Sequence, residues 1–373
     1  MHAWFRPRRP PGRLGAVGVS RLLAFQLIQV GLFIVLASGV WVAILGGTVG
    51  AVATVVTFGR SRGRWWAETA VLWLRYRRRR EATAATPADG RLAALAQLVP
   101  DLVVEDVSGP DSTPLGMASD GAGWFAVLEV APSEAGISPP VPLAALARIA
   151  VEAEASGVVM QVVTHSVPVE AAADRRRVLW VVVRLDADTV ATDAVGDPDR
   201  LDVPAVLAEL ARRVRWALKR RGLAARMLDA DGVLDALTLA CDLVPASAPP
   251  APGPPVARAR ESWDAWHSPR LAHRCFWLRI WPDPESGTVL LASITDLPGA
   301  QVSISLVLEP RPDAPVETDL SCLVRIATPQ ERSRQVCAQA GRVAQRLGGE
   351  MFPLDGEHAT AVYASAPTGG GAR

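Results

Sequence analysis

Across 373 residues the sequence has one lysine, Lys219, four cysteines and two tyrosines, and between Arg21 and Arg60 it has no Asp, Glu, Lys, Arg or His at all. Each scarcity excludes something. The only lysine lies in "WALKRRG", so no Gly-Lys-Ser/Thr loop exists to cradle phosphates, and P-loop nucleotide hydrolysis is ruled out. Cys241, Cys275, Cys322 and Cys337 are scattered without C-x-x-C spacing, which argues for reduced, mostly buried thiols rather than a zinc site or a disulfide framework. Neither a G-x-S-x-G elbow nor an H-E-x-x-H helix occurs. No cofactor is called for.

The uncharged stretch from Leu22 to Gly59 is mostly Leu, Val, Ile, Ala, Phe and Gly. About 20 apolar residues span a bilayer core as a helix, so this length is too great for one crossing and just enough for two short ones. Arginines flank both ends: Arg6, Arg8, Arg9, Arg13 and Arg21 before it, Arg60, Arg62 and Arg64 after it. Basic flanks favour the cytoplasmic side, so an even number of crossings is expected. The reading is a transmembrane hairpin within residues 22–59, Leu22 to about Ser38 and about Trp41 to Phe58, turning at Gly39, with both termini cytoplasmic. A secretory signal peptide is the alternative, but the apolar run is too long and no small-x-small cleavage site leads into a cysteine-paired sequence.

Directly after it, "GRWWAETAVLWLRYRRRR" (63–80) places Trp65, Trp66, Thr69, Leu72, Trp73 and Tyr76 at three- and four-residue steps on one helical face and ends in Arg75 and Arg77, Arg78, Arg79 and Arg80. Residues 60–81 therefore read as an in-plane helix. The aromatic rings would straddle the interface of the inner leaflet and the arginines would meet anionic lipid. The alternative is that the same face packs onto the soluble part.

Charge divides the chain. Residues 1–80 carry 13 arginines against one acid, a net +12, while residues 81–373 hold 26 basic against 37 acidic residues, a net −11. An acidic soluble part is repelled by phosphates, which sets nucleic acid aside as a partner. After a small, polar linker (82–90), periodicity predicts strands at 123–132, 157–168, 176–186 and 223–229 and helices at 141–155, 203–222 and 229–243, with Asp229 as an N-cap. A proline-rich linker (244–260) follows. The same β-α-β-β-α-β-α order then returns: strands at 273–282, 300–310, 318–329 and 349–355, helices at 288–299, 330–348 and 355–367, and a flexible tail at 368–373. The fold class is α/β (α+β): two related halves, 91–243 and 261–367, packed as one body, each resembling a split βαβ unit whose helices cover one face of an antiparallel sheet. "GLAARMLDADGVLDAL" aligns with "GGEMFPLDGEHATAVY", and "WVVVRLD" echoes "CLVRIAT". Chance similarity between two α/β units is the rival explanation.

The two-helix anchor, "GRWWAETAVLWLRYRRRR", "DGAGWFAVLEV" (120–130), "ESWDAWHSPRLAHRCFWLRIWP" (261–282) and "LDGEHATAVYASAPTGGG" (354–371), in that order, resemble the EccE component of actinobacterial type VII (ESX) secretion systems. The resemblance implies a non-catalytic inner-membrane subunit with two transmembrane helices and a cytosolic domain, standing beside EccB, EccD and the ATPase EccC. The longer proline linker departs from the mycobacterial pattern and leaves open which partner surfaces carry over.

Three groups of residues invite chemical readings. Asp355, Glu357 and His358 in "LDGEHA" could bind metal or move protons, but capping by Asp355 with Glu357 near the helix start is the stronger reading. The D-x-D pairs Asp186/Asp188 and Asp229/Asp231 are the metal-binding signature of many nucleotide-sugar transferases, and a membrane-anchored glycosyltransferase is the second functional reading. Trp263 and Trp266 are, if exposed, candidate partner contacts, because aromatic residues concentrate interface energy.

Overall fold

The computed structural model describes residues 13–14, 17–18, 26–31, 40–61, 64–81, 89–109, 113–132, 140–153, 157–168, 175–193, 202–243, 259–311 and 314–370. They form two compact units, one of Arg8–Ala82 and one that takes in Thr83–Arg373.

In the smaller unit, helix α1 (Val40–Phe58) has 19 residues and no charge, mostly Val, Ala and Gly. At 1.5 Å per residue it is about 28 Å long. Thr48 and Thr54 donate their hydroxyls back to the carbonyls of Ile44 and Gly50, each at 2.8 Å, so these polar groups need no water. Among the described residues no helix is long and apolar enough to cross a membrane, and several α1 side chains, Trp41 and Phe58 included, lie outside them. Of the expected first span, 22–38, only residues 26–31 are described, and they are helical; the turn at Gly39 lies outside the described residues. Helix α2 (Trp66–Glu81) starts later than the periodicity predicts, because Arg60–Ser61 and Arg64–Trp65 pair as a two-residue antiparallel ladder first.

The larger unit is built on a twelve-stranded sheet. Its strands are β1 (Val103–Ser108), β2 (Pro114–Ser119), β3 (Gly123–Val130), β4 (Val158–Pro168), β5 (Arg175–Asp186), β6 (Ala225–Met227), β7 (Arg260–Glu261), β8 (Trp266–His267), β9 (Ala272–Ile280), β10 (Gln301–Arg311), β11 (Ala314–Thr328) and β12 (Glu350–Pro353). The order is β7-β8-β9-β11-β10-β4-β5-β3-β2-β1, with β6 on β3 and β12 on β9, and every pairing is antiparallel. The first half thus reads β4-β5-β3-β6 outward and the second β10-β11-β9-β12. The two halves meet through corresponding strands, β4 and β10, in register from Met160↔Leu308 to Ser166↔Val302.

Both faces of these strands are apolar, and both need cover. In β5, Val181, Val183 and Leu185 face one core and Trp180 and Val182 the other. Helices α4 (Leu143–Val151) and α6 (Val203–Lys219) cover one face of the first half, and α8 (Pro284–Thr295) and α9 (Gln330–Arg346) continue that layer over the second. The opposite face is covered by α3 (Gly90–Leu95), α7 (Ala230–Ala240) and α10 (His358–Ala364). The expectation that helices cover one face is therefore corrected: the last helix of each half crosses over, because Phe125, Val127, Val182 and Cys275 would otherwise face water. The short helix α5 (Ala187–Asp193) follows β5.

Two further corrections concern termini. Thr368 is fully buried and Gly369 and Gly370 pack against Arg184 and Val307, so the tail expected to be flexible from 368 is held down at least to Gly370. Helix α10 begins at His358 with Glu357 at its N-cap and no side-chain capping bond, so Asp355 is not its cap. Gly356 intervenes with φ +79, a conformation that delays the helix start.

Candidate functional site: an arginine-rich helix and a buried polar clamp

Helix α2 presents Trp66 and Trp73 with close to half of each surface exposed, and Arg75 and Arg77 are exposed beside them. The Arg77 guanidinium lies 5.5 Å from the centre of the Trp73 ring, a cation–π contact that fixes a cation next to an open indole. Tyr76, placed on the same aromatic face by its spacing, is instead buried. Trp65 ends the small ladder before the helix, and the side chains of Trp65, Arg78, Arg79 and Arg80 lie outside the described residues.

In the larger unit, polar side chains replace apolar ones at the junction of the halves. Gln161, in the middle of β4, is fully buried and uses its whole amide: Nε2 donates to Ser305 Oγ (2.7 Å) and the Ala364 carbonyl (2.8 Å), while Oε1 accepts from the backbone N–H of Thr368 (3.1 Å) and Gly369 (2.7 Å). Next to it, Arg184 forms a two-pronged ion pair with Asp120, both bonds 2.8 Å, and donates a third bond to the Thr368 carbonyl at 2.9 Å. Tyr363 donates its hydroxyl to the same carboxylate at 3.0 Å. Burial, then the Asp120 charge, drive the Tyr363 pKa well above its ordinary value, so the hydroxyl stays a donor. A C-terminal segment with free backbone groups is thereby fastened across the seam.

A second buried cluster adjoins it. Arg325 donates to the Ala240 carbonyl at the end of α7 (2.5 Å) and to Ser303 Oγ (2.7 Å), placing a cation where the helix dipole is negative. His165 Nδ1 meets the same Ser303 hydroxyl at 2.8 Å, and its ring stacks on Trp180. Burial, with the Arg325 charge second, pushes its pKa down to about 3. Both residues are at most 2 % exposed, so this serine–histidine contact is a packed, neutral pair rather than an accessible nucleophile and base. His273, pushed down to about 4 chiefly by burial, stands 3.8 Å from Asp242, too far for a hydrogen bond. Asp242, in the left-handed conformation just past α7, accepts from Ser268 (2.6 Å) and pairs with Arg270, joining the chain on either side of the proline-rich stretch.

The residues singled out in the sequence fall differently. Asp229 caps α7 by accepting from Gly232 N–H at 2.8 Å, as expected, and Asp231 pairs with Arg91 at 2.5 Å. Asp186 accepts from the backbone and hydroxyl of Thr189 (3.1 and 2.9 Å), with Asp188 in the same short helix. Three of the four D-x-D carboxylates, Asp186, Asp229 and Asp231, are thus engaged at helix starts. Trp266 is 2 % exposed, in the core and edge-on to His273 at 5.0 Å, so it cannot serve as a surface contact while folded. Trp263 is half-buried over Gly356, whose N–H donates to its carbonyl at 2.7 Å. His358 is buried and accepts the Cys275 N–H at 3.2 Å. All four cysteines are free and buried, and burial raises their pKa to about 11 for Cys241 and Cys337 and about 12 for Cys275 and Cys322. Sequence reasoning missed the clamp. Its signal is Gln161 in β4 and Arg184 in β5, polar residues that interrupt runs of valine and leucine.

Residues 172–278 match a protein-family model described as "Putative type VII ESX secretion system translocon, EccE". This stretch of the chain matches the EccE family model. The matched stretch runs from just before β5 through α6, β6 and α7 into β9, and covers under a third of the chain. It contains most of the "ESWDAWHSPRLAHRCFWLRIWP" segment that carries the sequence resemblance, while the arginine-rich helix and "LDGEHATAVYASAPTGGG" lie outside it. No curated protein matches the chain. The family matched over residues 172–278 is one of type VII secretion system components.

Proposed function

We propose that the protein is a non-catalytic, membrane-anchored subunit of an ESX secretion machine. Its N-terminal unit holds an acidic α/β domain at the cytoplasmic face of the inner membrane, where that domain scaffolds the complex. The observation that carries this reading is the EccE match over residues 172–278. Three features support it. The uncharged 38-residue stretch, of which α1 is a part, is bracketed by arginines, and α2 sets exposed Trp66 and Trp73 beside cations. Of the acids that could have bound a metal, Asp186 and Asp229 bond to helix starts and Asp231 pairs with Arg91. The polar core is spent on fastening the chain to itself.

The partners this role calls for are the other ESX membrane components, EccB, EccD and the ATPase EccC, with anionic inner-leaflet lipid around the anchor. Its mechanism is positional: a rigid sheet fixed by a clamped C-terminus offers a constant surface to its neighbours. Tagged full-length protein, purified in mild detergent from its own host, should bring down an FtsK-like ATPase and a many-span membrane protein. It should lose both when residues 1–81 are removed. A solitary, monodisperse protein would contradict the reading.

A further inference from the structure

Among its described residues the acidic unit carries a cationic, aromatic surface that its fold does not require. On α6, Leu210, Ala211, Val214, Ala217 and Leu218 face the core, which leaves Trp216 on the outside, 57 % exposed. Arg220 lies 6.0 Å from the centre of its ring. Lys219, Arg220 and Arg221 are all exposed and none forms an ion pair among the described residues, whereas Arg212 and Arg213 two turns earlier are neutralised by Glu209. The basic turn is held in shape. Gly222, at φ +75, reverses the chain, Leu223 N–H donates to the Leu218 carbonyl at 3.1 Å, and the Leu223 side chain is buried beneath.

This arrangement repeats one from the N-terminal unit. In "WLRYR" (73–77) and "WALKR" (216–220) an exposed tryptophan is followed four residues later by an arginine over its ring, and more cations follow at once. The corresponding helix of the second half, α9, ends with Arg342, Gln345 and Arg346 and has no aromatic residue there, so packing of the sheet does not demand Trp216. Against the net −11 of residues 81–373, unpaired cations around an open indole are complementary to a negative surface. An indole flanked by long cationic side chains is the composition of segments that sit at lipid headgroups.

We propose that the C-terminal end of α6, centred on Trp216 with Lys219, Arg220 and Arg221, docks on anionic lipid headgroups. This contact orients the acidic unit against the membrane, with its negative remainder turned away. It rests on the membrane-anchored reading above. The four native thiols are buried, so single reporter cysteines can be labelled in the full chain. A fluorophore at Ala224→Cys, beside the patch, reports the docking; one at Val49→Cys, at the middle of α1, reports the anchor itself through quenching by lipid spin-labelled near the end of its acyl chain.

In nanodiscs containing phosphatidylglycerol, the Ala224 label should be quenched by headgroup-depth spin-labelled lipid, and in phosphatidylcholine alone it should not. Replacing Lys219, Arg220 and Arg221 by Gln should weaken the contact roughly fivefold per charge removed, and Trp216→Ala should weaken it too, with the Val49 signal unchanged. A quenched Val49 label with an Ala224 label equally exposed in both lipids overturns the proposal and leaves the anchor standing. An unquenched Val49 label contradicts the anchor, and the phosphatidylglycerol dependence at Ala224 still decides the docking. Protection of Ala224 in native membranes but not in anionic nanodiscs overturns the lipid assignment in favour of an acidic protein partner.

Discussion

Gln161 and Thr368 are 207 positions apart, and the Thr368 N–H donates to the Gln161 side-chain carbonyl at 3.1 Å inside the core. One amide, with four bonds, ties the last described residues to the strand on which the two halves of the sheet meet. Gln161→Leu should therefore strand two backbone N–H groups and a carbonyl. A loss of about 2–4 kcal/mol is expected, since each unpaired buried polar group costs about 1–3 kcal/mol. Urea unfolding of the detergent-solubilised full chain measures it, and an unchanged midpoint would show that the tail is not fastened there.

The Asp120–Arg184 pair is buried on both sides, so removing one partner leaves a bare charge. Asp120→Ala and Arg184→Ala should each cost about 3–5 kcal/mol, and the double variant clearly less than the sum. Additive losses in a double-mutant cycle would mean the two groups do not communicate.

His165 and His273 are held neutral, their pKa values near 3 and 4 in the folded state against an ordinary value of 6.5. The unfolded chain therefore binds more protons below pH 6.5, and stability falls as pH drops through the window from about 6.5 towards 4. At pH 5 the loss should be on the order of 1–2 kcal/mol per histidine. Denaturation midpoints from pH 7 to 5 test this, with the double variant His165→Gln/His273→Gln expected to flatten the slope.

Trp266 lies in the core, whereas Trp263 covers a glycine where any side chain would be strained. Trp266→Ala should destabilise by about 3–5 kcal/mol and unfold the unit before it releases any partner. At Gly356 an added Cβ would lie 2.6 Å from the Trp263 ring, in a backbone conformation that L side chains rarely adopt. Gly356→Ala should cost more than about 1 kcal/mol, visible as a lowered Tm.

Much of this fold is legible because its strands are apolar on both faces and its helices amphipathic: "RRVLWVVVRLD" and "VPAVLAELARRVRWALK" leave little choice. Strands β1 and β2 are not legible, since "VVEDVS" and "PLGMAS" are short, lie at the sheet's end and lack alternation. The crossing of α7 and α10 to the second face escapes notice for another reason. It depends on which core those helices fill, and periodicity is blind to that. The clamp shows only as polar letters inside apolar strands, Gln161, Arg184 and Arg325, and their partners come from segments far away in sequence.

The most direct test of a positional, non-catalytic role is complementation of protein export in a host strain that lacks this gene. The expected result is full export with the intact chain and with an Asp186→Asn/Asp229→Asn variant, and none with a chain lacking residues 1–81. Loss of export in the double variant, with the complex still assembled and the protein still folded, would contradict the account and point to chemistry at the acid pairs.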